Sequence, residues 1–184
     1  MSNTTLRRIL HVASAGVLLL VPVIGWGAFP RVVTVGGVLA LAVEGVRLTH
    51  GGVRRFFVSR LPVFRPSEAT RPCGAAWLAA AFVAAAWFPP PAAMAGILVA
   101  ALADPAASTV GTRFSRAGEG NDKTWIGSGA FVLVAIALVA LLGHPWTVAV
   151  IVGSVGTALE RWSGPLDDNL LVAPGVATSL LLLG

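Results

Sequence analysis

The chain has 184 residues, of which 56% are hydrophobic and only 11% charged, and its formal net charge is +5. Soluble domains carry about 25% charged residues, so this composition excludes a water-soluble enzyme and indicates an integral membrane protein of a single domain, 1–184. One cysteine, Cys73, excludes an internal disulfide and a cysteine-rich metal site and reads as a small packing residue, while the basic excess reads as membrane orientation rather than nucleic-acid binding.

A helix needs about 20 apolar residues to cross a bilayer, and the sequence predicts seven such spans: 9–29, 31–48, 73–88, 92–110, 125–142, 145–162 and 169–184. The first follows Arg7-Arg8 and has the look of a signal peptide, but its core is long and Pro30 leads directly into the second span. The segment 51–71 is too charged to cross. Val53, Phe56, Phe57 and Leu61 fall at rough helical spacing against Arg54, Arg55 and Ser59, as expected of an amphipathic helix lying on the membrane and broken at Pro62. The fourth span carries Asp104, with Pro105 expected to kink it. A polar loop follows, and Lys123-Thr124 opens the fifth span. Asp167-Asp168-Asn169 opens the last, where Pro174 removes one helix hydrogen bond and frees a carbonyl.

Basic residues orient such a bundle. With the N-terminus in the cytosol, twelve of the thirteen fall on inner segments and only Arg31 lies outside. Trp77, Trp125 and Trp162 then mark inner span ends and Trp26, Trp87 and Trp146 outer ones, as aromatic belts do. The expected architecture is therefore all-α: a polytopic bundle with its site facing the cytosol.

All eight acidic residues (Glu44, Glu68, Asp104, Glu119, Asp122, Glu160, Asp167 and Asp168) fall on that inner side. Charge at mid-bilayer costs roughly 2.5–3.5 kcal/mol on insertion scales, so a carboxylate inside a span requires a partner, a proton or a metal. Three of them stand above small residues at helical spacing: Glu44 over Ala40 and Gly36, Asp104 over Ala100 and Gly96, Glu160 over Gly156 and Gly153. Small residues let membrane helices pack closely, so these faces should point into the bundle. His11 shares a face with Arg7, Arg8 and Ala15. One member of Asp167-Asp168-Asn169 suffices for an N-cap; three exceed that need. Carboxylates hold Mg²⁺ together with substrate phosphates, Lys and Arg bind phosphate, and phosphoryl transfer demands positioning and charge neutralisation. Gly118-Glu119-Gly120-Asn121-Asp122-Lys123-Thr124 lacks the spacing of a Walker loop.

Arg7-Arg8-x-x-His11, Glu44-x-x-Arg47, Asp104-x-Ala106 through Gly111-x-Arg113-Phe114, Lys123-Thr124-x-x-Gly127-Ser128, and Glu160 followed by Asp167-Asp168-Asn169-Leu170 occur in that order along nearly the whole chain. In this order they resemble the CTP-dependent lipid kinases that include dolichol kinase, phytol kinase and fungal-type diacylglycerol kinase. The resemblance implies phosphoryl transfer from CTP, with Mg²⁺, to the hydroxyl of an isoprenoid alcohol or diacylglycerol. It places the metal on Asp104, Asp168 and Asn169, with Asp167. Nucleotide contacts fall to Lys123, Thr124, Arg113, Arg47, Gly127, Ser128 and His11, and the base to Glu160 or Glu44. Ala103, Pro105, Ile126 and the position of Pro174 depart from the family pattern. The rivals are a CTP:phosphatidate cytidylyltransferase, whose usual C-terminal Pro-Gly-His-Gly-Gly run is absent; a small transporter, for which no polar path crosses the outer halves of the spans; and a structural membrane protein, for which six ionisable groups on one side have no evident use.

Overall fold

Apolar runs of this length satisfy their backbone groups internally only as helices, and the architecture follows from that. The computed structural model of the protein describes residues 3–61, 63–114, 123–164 and 166–183. Those residues are helical or in short connections, with no strand among them. In chain order they form α1 (Asn3–Ser14), a 3₁₀ continuation (Ala15–Leu20), α2 (Val21–Thr49), α3 (Gly51–Arg60), a 3₁₀ turn (Pro66–Ala69), α4 (Gly74–Ala86), α5 (Pro90–Phe114), α6 (Trp125–Leu141), α7 (Trp146–Arg161) and α8 (Asp168–Leu183). Two helical stretches, Thr4–Thr49 and Pro90–Phe114, are long and apolar enough to cross a membrane; Gly74–Ala86, Trp125–Leu141 and Asp168–Leu183 are apolar but shorter.

The stretch Thr4–Thr49 doubles back on itself. Arg7 near its start and Arg47 near its end both bind the connector between α3 and α4. The reversal lies at Gly25, whose φ of 73° is open to glycine and costly for other residues, and not at Pro30 as the sequence predicts. Pro30 stays inside α2, and α5 and α8 likewise continue through Pro105 and Pro174. α3, the helix expected to lie on the membrane, ends at Arg60, and Pro62 lies outside the described residues.

α5 occupies the centre, with α6, α8, α4 and α1 around it. Close approach sets its partners. A Cβ on Gly96 would lie 2.4 Å from the Ala173 carbonyl of α8, and one on Gly127 of α6 2.9 Å from the Ala107 carbonyl of α5. Gly156 of α7 faces Val176 of α8 at 3.1 Å, and Gly153 faces Ile136 of α6 at 2.7 Å. The expected stripes beneath Asp104 and Glu160 are therefore packed. The stripe beneath Glu44 is not, because Gly36 has open space and Ala40 is exposed. α2 instead packs through Val33 and Gly37, the latter against Val83.

Candidate functional site

Asp104 rides on α5 two turns above Gly96, Glu160 on α7 one turn above Gly156, and Asp168 opens α8. Because glycine lets these helices touch almost backbone to backbone, the three carboxyl groups reach one another. One oxygen of each lies within 4.8 Å of the others. Together with Ala100, Asn169 and Val172 they line a small cavity. Lys123, just before α6, closes one side: Nζ donates to Asp168 Oδ2 at 2.7 Å and to the Glu160 backbone carbonyl, and lies 3.5 Å from Glu160 Oε1. Burial works against the Lys123 ammonium. The hydrogen bond and charge of Asp168, with the charge of Glu160, outweigh that and push its pKa above the ordinary lysine value.

The cluster has an excess of acid. Glu160 is 5% exposed, and its Oε2 is buried with no hydrogen-bond partner among the described residues. A buried acceptor left unpaired costs about 1–3 kcal/mol, a cost that a bound partner would relieve. His11 of α1 reaches the same place. Its Nε2 lies 3.1 Å from the Ala100 carbonyl, which only accepts, so Nε2 carries hydrogen; Nδ1 then faces Asp104 Oδ2 at 3.5 Å.

The sequence-predicted residues divide between this cluster and other work. Asp104, Glu160, Asp168, Lys123, His11 and Asn169 come together. Asp167 does not join the three carboxylates; at the start of α8 its Oδ1 accepts from the Asn169 backbone N–H (3.1 Å) and from Asn169 Nδ2 (2.7 Å), donors that Asp168 Oδ1 shares at 2.9 and 3.4 Å. Burial foremost, and then the charge of Asp168, push the Asp167 carboxyl up against those hydrogen bonds.

Glu44 and Arg47, expected as base and phosphate ligand, lie outside the three-carboxylate cluster. Arg47 is 1% exposed, and its donors are committed: to Glu44 Oε2 (2.7 Å) and Oε1 (2.8 Å), and to the carbonyls of Glu68 (3.0 Å), Ala69 (3.4 Å) and Arg71 (2.8 Å). Glu44 Oε1 also accepts from the Cys73 N–H at 2.7 Å, so Cys73 is a link in this lock as well as a packing residue.

Thr124 caps α6 by accepting from the Gly127 N–H at 3.0 Å, and Gly111 and Gly127 pack around its hydroxyl. Ser128 is buried and accepts from Arg161 Nη1 at 3.1 Å. Arg113 is exposed near the end of α5, its guanidinium 5.8 Å from the Phe114 ring. Arg116, Glu119 and Asp122 lie outside the described residues.

Two residues matter more than the sequence suggests. Glu68 is buried and accepts from Arg7 Nη1 and the Arg65 N–H, both at 2.7 Å, and from the Gly74 N–H at 3.2 Å. Burial raises the Glu68 pKa, but Arg7 and those two N–H groups hold it below the usual carboxylate range. The three-residue spacing from Arg65 to Glu68 is the local signal, a turn closed by its own carboxylate. Arg161 is the second: it lies 3.6 Å from the Trp125 ring, and Trp125 meets Trp162 edge-on at 6.3 Å.

No family model matches the chain, and no curated protein or solved structure matches it. The donor set itself fits a hard cation. Three converging carboxylates offer oxygen and no sulfur, one buried oxygen lacks a partner, and carboxylate oxygen suits Mg²⁺.

Proposed function

We propose that this protein is a lipid-alcohol kinase that transfers the γ-phosphoryl group of CTP to the hydroxyl of an isoprenoid alcohol or diacylglycerol at the cytosolic leaflet. In this reading the chain crosses the membrane seven times, by α1 with its 3₁₀ continuation, α2, α4, α5, α6, α7 and α8. The N-terminus is cytosolic and α3 lies on the inner surface. The doubling back at Gly25 supports the first two crossings, and the segregation of twelve of thirteen basic residues supports the orientation.

One observation carries the functional reading. Carboxylates from three helices converge at one end of the bundle with a lysine in contact and one oxygen unmatched, and buried ionic groups of this kind mark function in membrane proteins. Asp104 and Asp168, with Asn169 beside them, would hold Mg²⁺, which supplies neutralisation of the nucleotide phosphates. Lys123 stands at the rim on Asp168 and Glu160, within reach of a phosphate replacing either partner. Glu160 Oε2 is the free acceptor for the proton of the lipid hydroxyl. The hydroxyl oxygen then bonds to the γ-phosphorus, the bond from that phosphorus to the β-bridging oxygen breaks, and CDP leaves. Glu44 has no part in this, its oxygens being bound by Arg47 and Cys73.

Purified protein is incubated with γ- and α-labelled CTP and with undecaprenol, phytol or diacylglycerol. Lipid phosphate with CDP, lost in Asp168→Ala, is the expected outcome. Pyrophosphate with a CDP-lipid from added phosphatidate would assign the site to a cytidylyltransferase instead. Turnover undiminished in Asp168→Ala would refute the assignment of the cluster.

A further inference from the structure

A second cavity lies away from the acidic cluster. It is a groove of about 360 Å³ between α2, α3 and α4, lined by Leu39, Val43, Phe57, Leu61, Phe64 and Ala76 among others. Sites for small ligands run from about 300 to 1,000 Å³, and none of Asp104, Glu160 or Asp168 borders this one. On one side it continues into the apolar face of α2, where Val35, Val38, Leu39 and Val43 are 52–62% exposed. At its inner end stand Glu44 and Arg47, already bound to each other and to the connector. An extended peptide would find no free polar partners there for its backbone. A hydrocarbon chain needs none.

The rim is basic. Arg54 and Arg60 stand three residues either side of Phe57, on its face of α3. α3 carries no acidic residue, and neither arginine forms an ion pair among the described residues. An apolar groove whose one charged pair, Glu44 with Arg47, is closed on itself, beside an uncompensated cationic helix side, is complementary to an amphiphile with an apolar tail and an anionic head. We infer that this groove holds one acidic phospholipid of the surrounding leaflet, its chain between α2 and α4 and its phosphate between Arg54 and Arg60. The inference rests on the membrane reading of the helices and not on the transferase chemistry.

The test is native mass spectrometry of the detergent-solubilised full chain, titrated with phosphatidylglycerol or phosphatidylcholine of identical acyl chains. One phosphatidylglycerol should bind in clear preference to phosphatidylcholine. Each basic residue near an anionic head contributes about 1 kcal/mol, so R54Q/R60Q should weaken that binding roughly 30-fold. Arg55→Gln is the control for a general field, since residue 55 lies on the opposite side of the helix from Phe57, and it should change little. Ala40→Phe fills the groove from an exposed position without touching the core and should abolish binding while the melting temperature in lipid-free detergent stays at the wild-type value. Equal binding of the two lipids, an Arg55→Gln effect as large as that of the pair, or full binding to Ala40→Phe would each overturn the inference. Because no turnover is read, these outcomes stand whether or not the kinase reaction is found.

Discussion

Arg7, Glu44, Arg47 and Glu68 form one ionic group at the loop end of the bundle; Asp104, Glu160, Asp168 and Lys123 form another. The two are neighbours across Gly74, where a Cβ would lie 3.2 Å from Asn169 Nδ2 and 3.9 Å from Glu68 Oε1. In the first, two guanidinium groups meet two carboxylates, and N–H groups of Arg65, Cys73 and Gly74 take up further acceptor capacity. In the second, three carboxylates have one lysine in direct contact, with His11 at 3.5 Å, and Glu160 Oε2 has no partner among the described residues. A closed ionic group ties a connector to its helices. An open one leaves acid and an acceptor unmatched among the described residues.

The contrast breaks most visibly by truncation of the closed group. Removing one partner of a buried ion pair costs about 3–5 kcal/mol, so Arg47→Ala should lower the melting temperature sharply, whereas Asp104→Asn, which relieves an acidic excess, should not lower it at all. Equal destabilisation by the two would erase the distinction. Activity should divide the other way. Asp168→Ala is expected to cut turnover by about 10²–10³-fold, the scale of losing one preorganised charge-stabilising group. It should also abolish the rise in melting temperature on adding Mg²⁺ that binding to the native state alone produces; a rise that persists would move the metal elsewhere. Thr124→Ala should cost only about 1 kcal/mol of stability, as expected for a lost N-cap, with nucleotide affinity unchanged. A selective loss of affinity would return Thr124 to the site.

The mildest perturbation is pH, and it sharpens the comparison through opposite signs. Glu68 is held below its ordinary value, so its contribution is complete above the unfolded pKa of about 4.3 and is lost as pH falls through the folded value. Asp167 is pushed up, so the stability of its protonated form is present in acid and is lost as pH rises from about 3.9 through the folded value. Glu68→Gln should therefore flatten the acid limb of the melting curve, and Asp167→Asn the limb just above it. Thermal melts of the metal-free protein across pH 3–7 would read both, and identical profiles for the two variants would contradict the assignment.

The acidic cluster was largely legible before folding. Asp104 over Ala100 and Gly96, and Glu160 over Gly156, announce their inward direction through helical spacing, because small residues mark the face along which membrane helices approach. Glu44 over Ala40 and Gly36 carries the same mark and misleads. The face α2 buries is set by Gly37 lodging against Val83, which rotates Glu44 and Arg47 towards the connector. A stripe of small residues shows where approach is possible; which stripe is used depends on the shape of the neighbour.

Composition and periodicity by themselves determined that this chain is helical, where its apolar runs lie and that its carboxylates gather at one end, since these follow from backbone satisfaction and from residue spacing along a single helix. Only the tertiary structure decided that the chain reverses at Gly25 rather than Pro30, that Glu68 closes a structural lock with Arg7, and that of Asp167 and Asp168 it is Asp168 that reaches Lys123. The first depends on which of two nearby chain breakers is used, the second on a partner dozens of residues away and the third on a choice between adjacent, chemically similar residues, and none is written in local spacing.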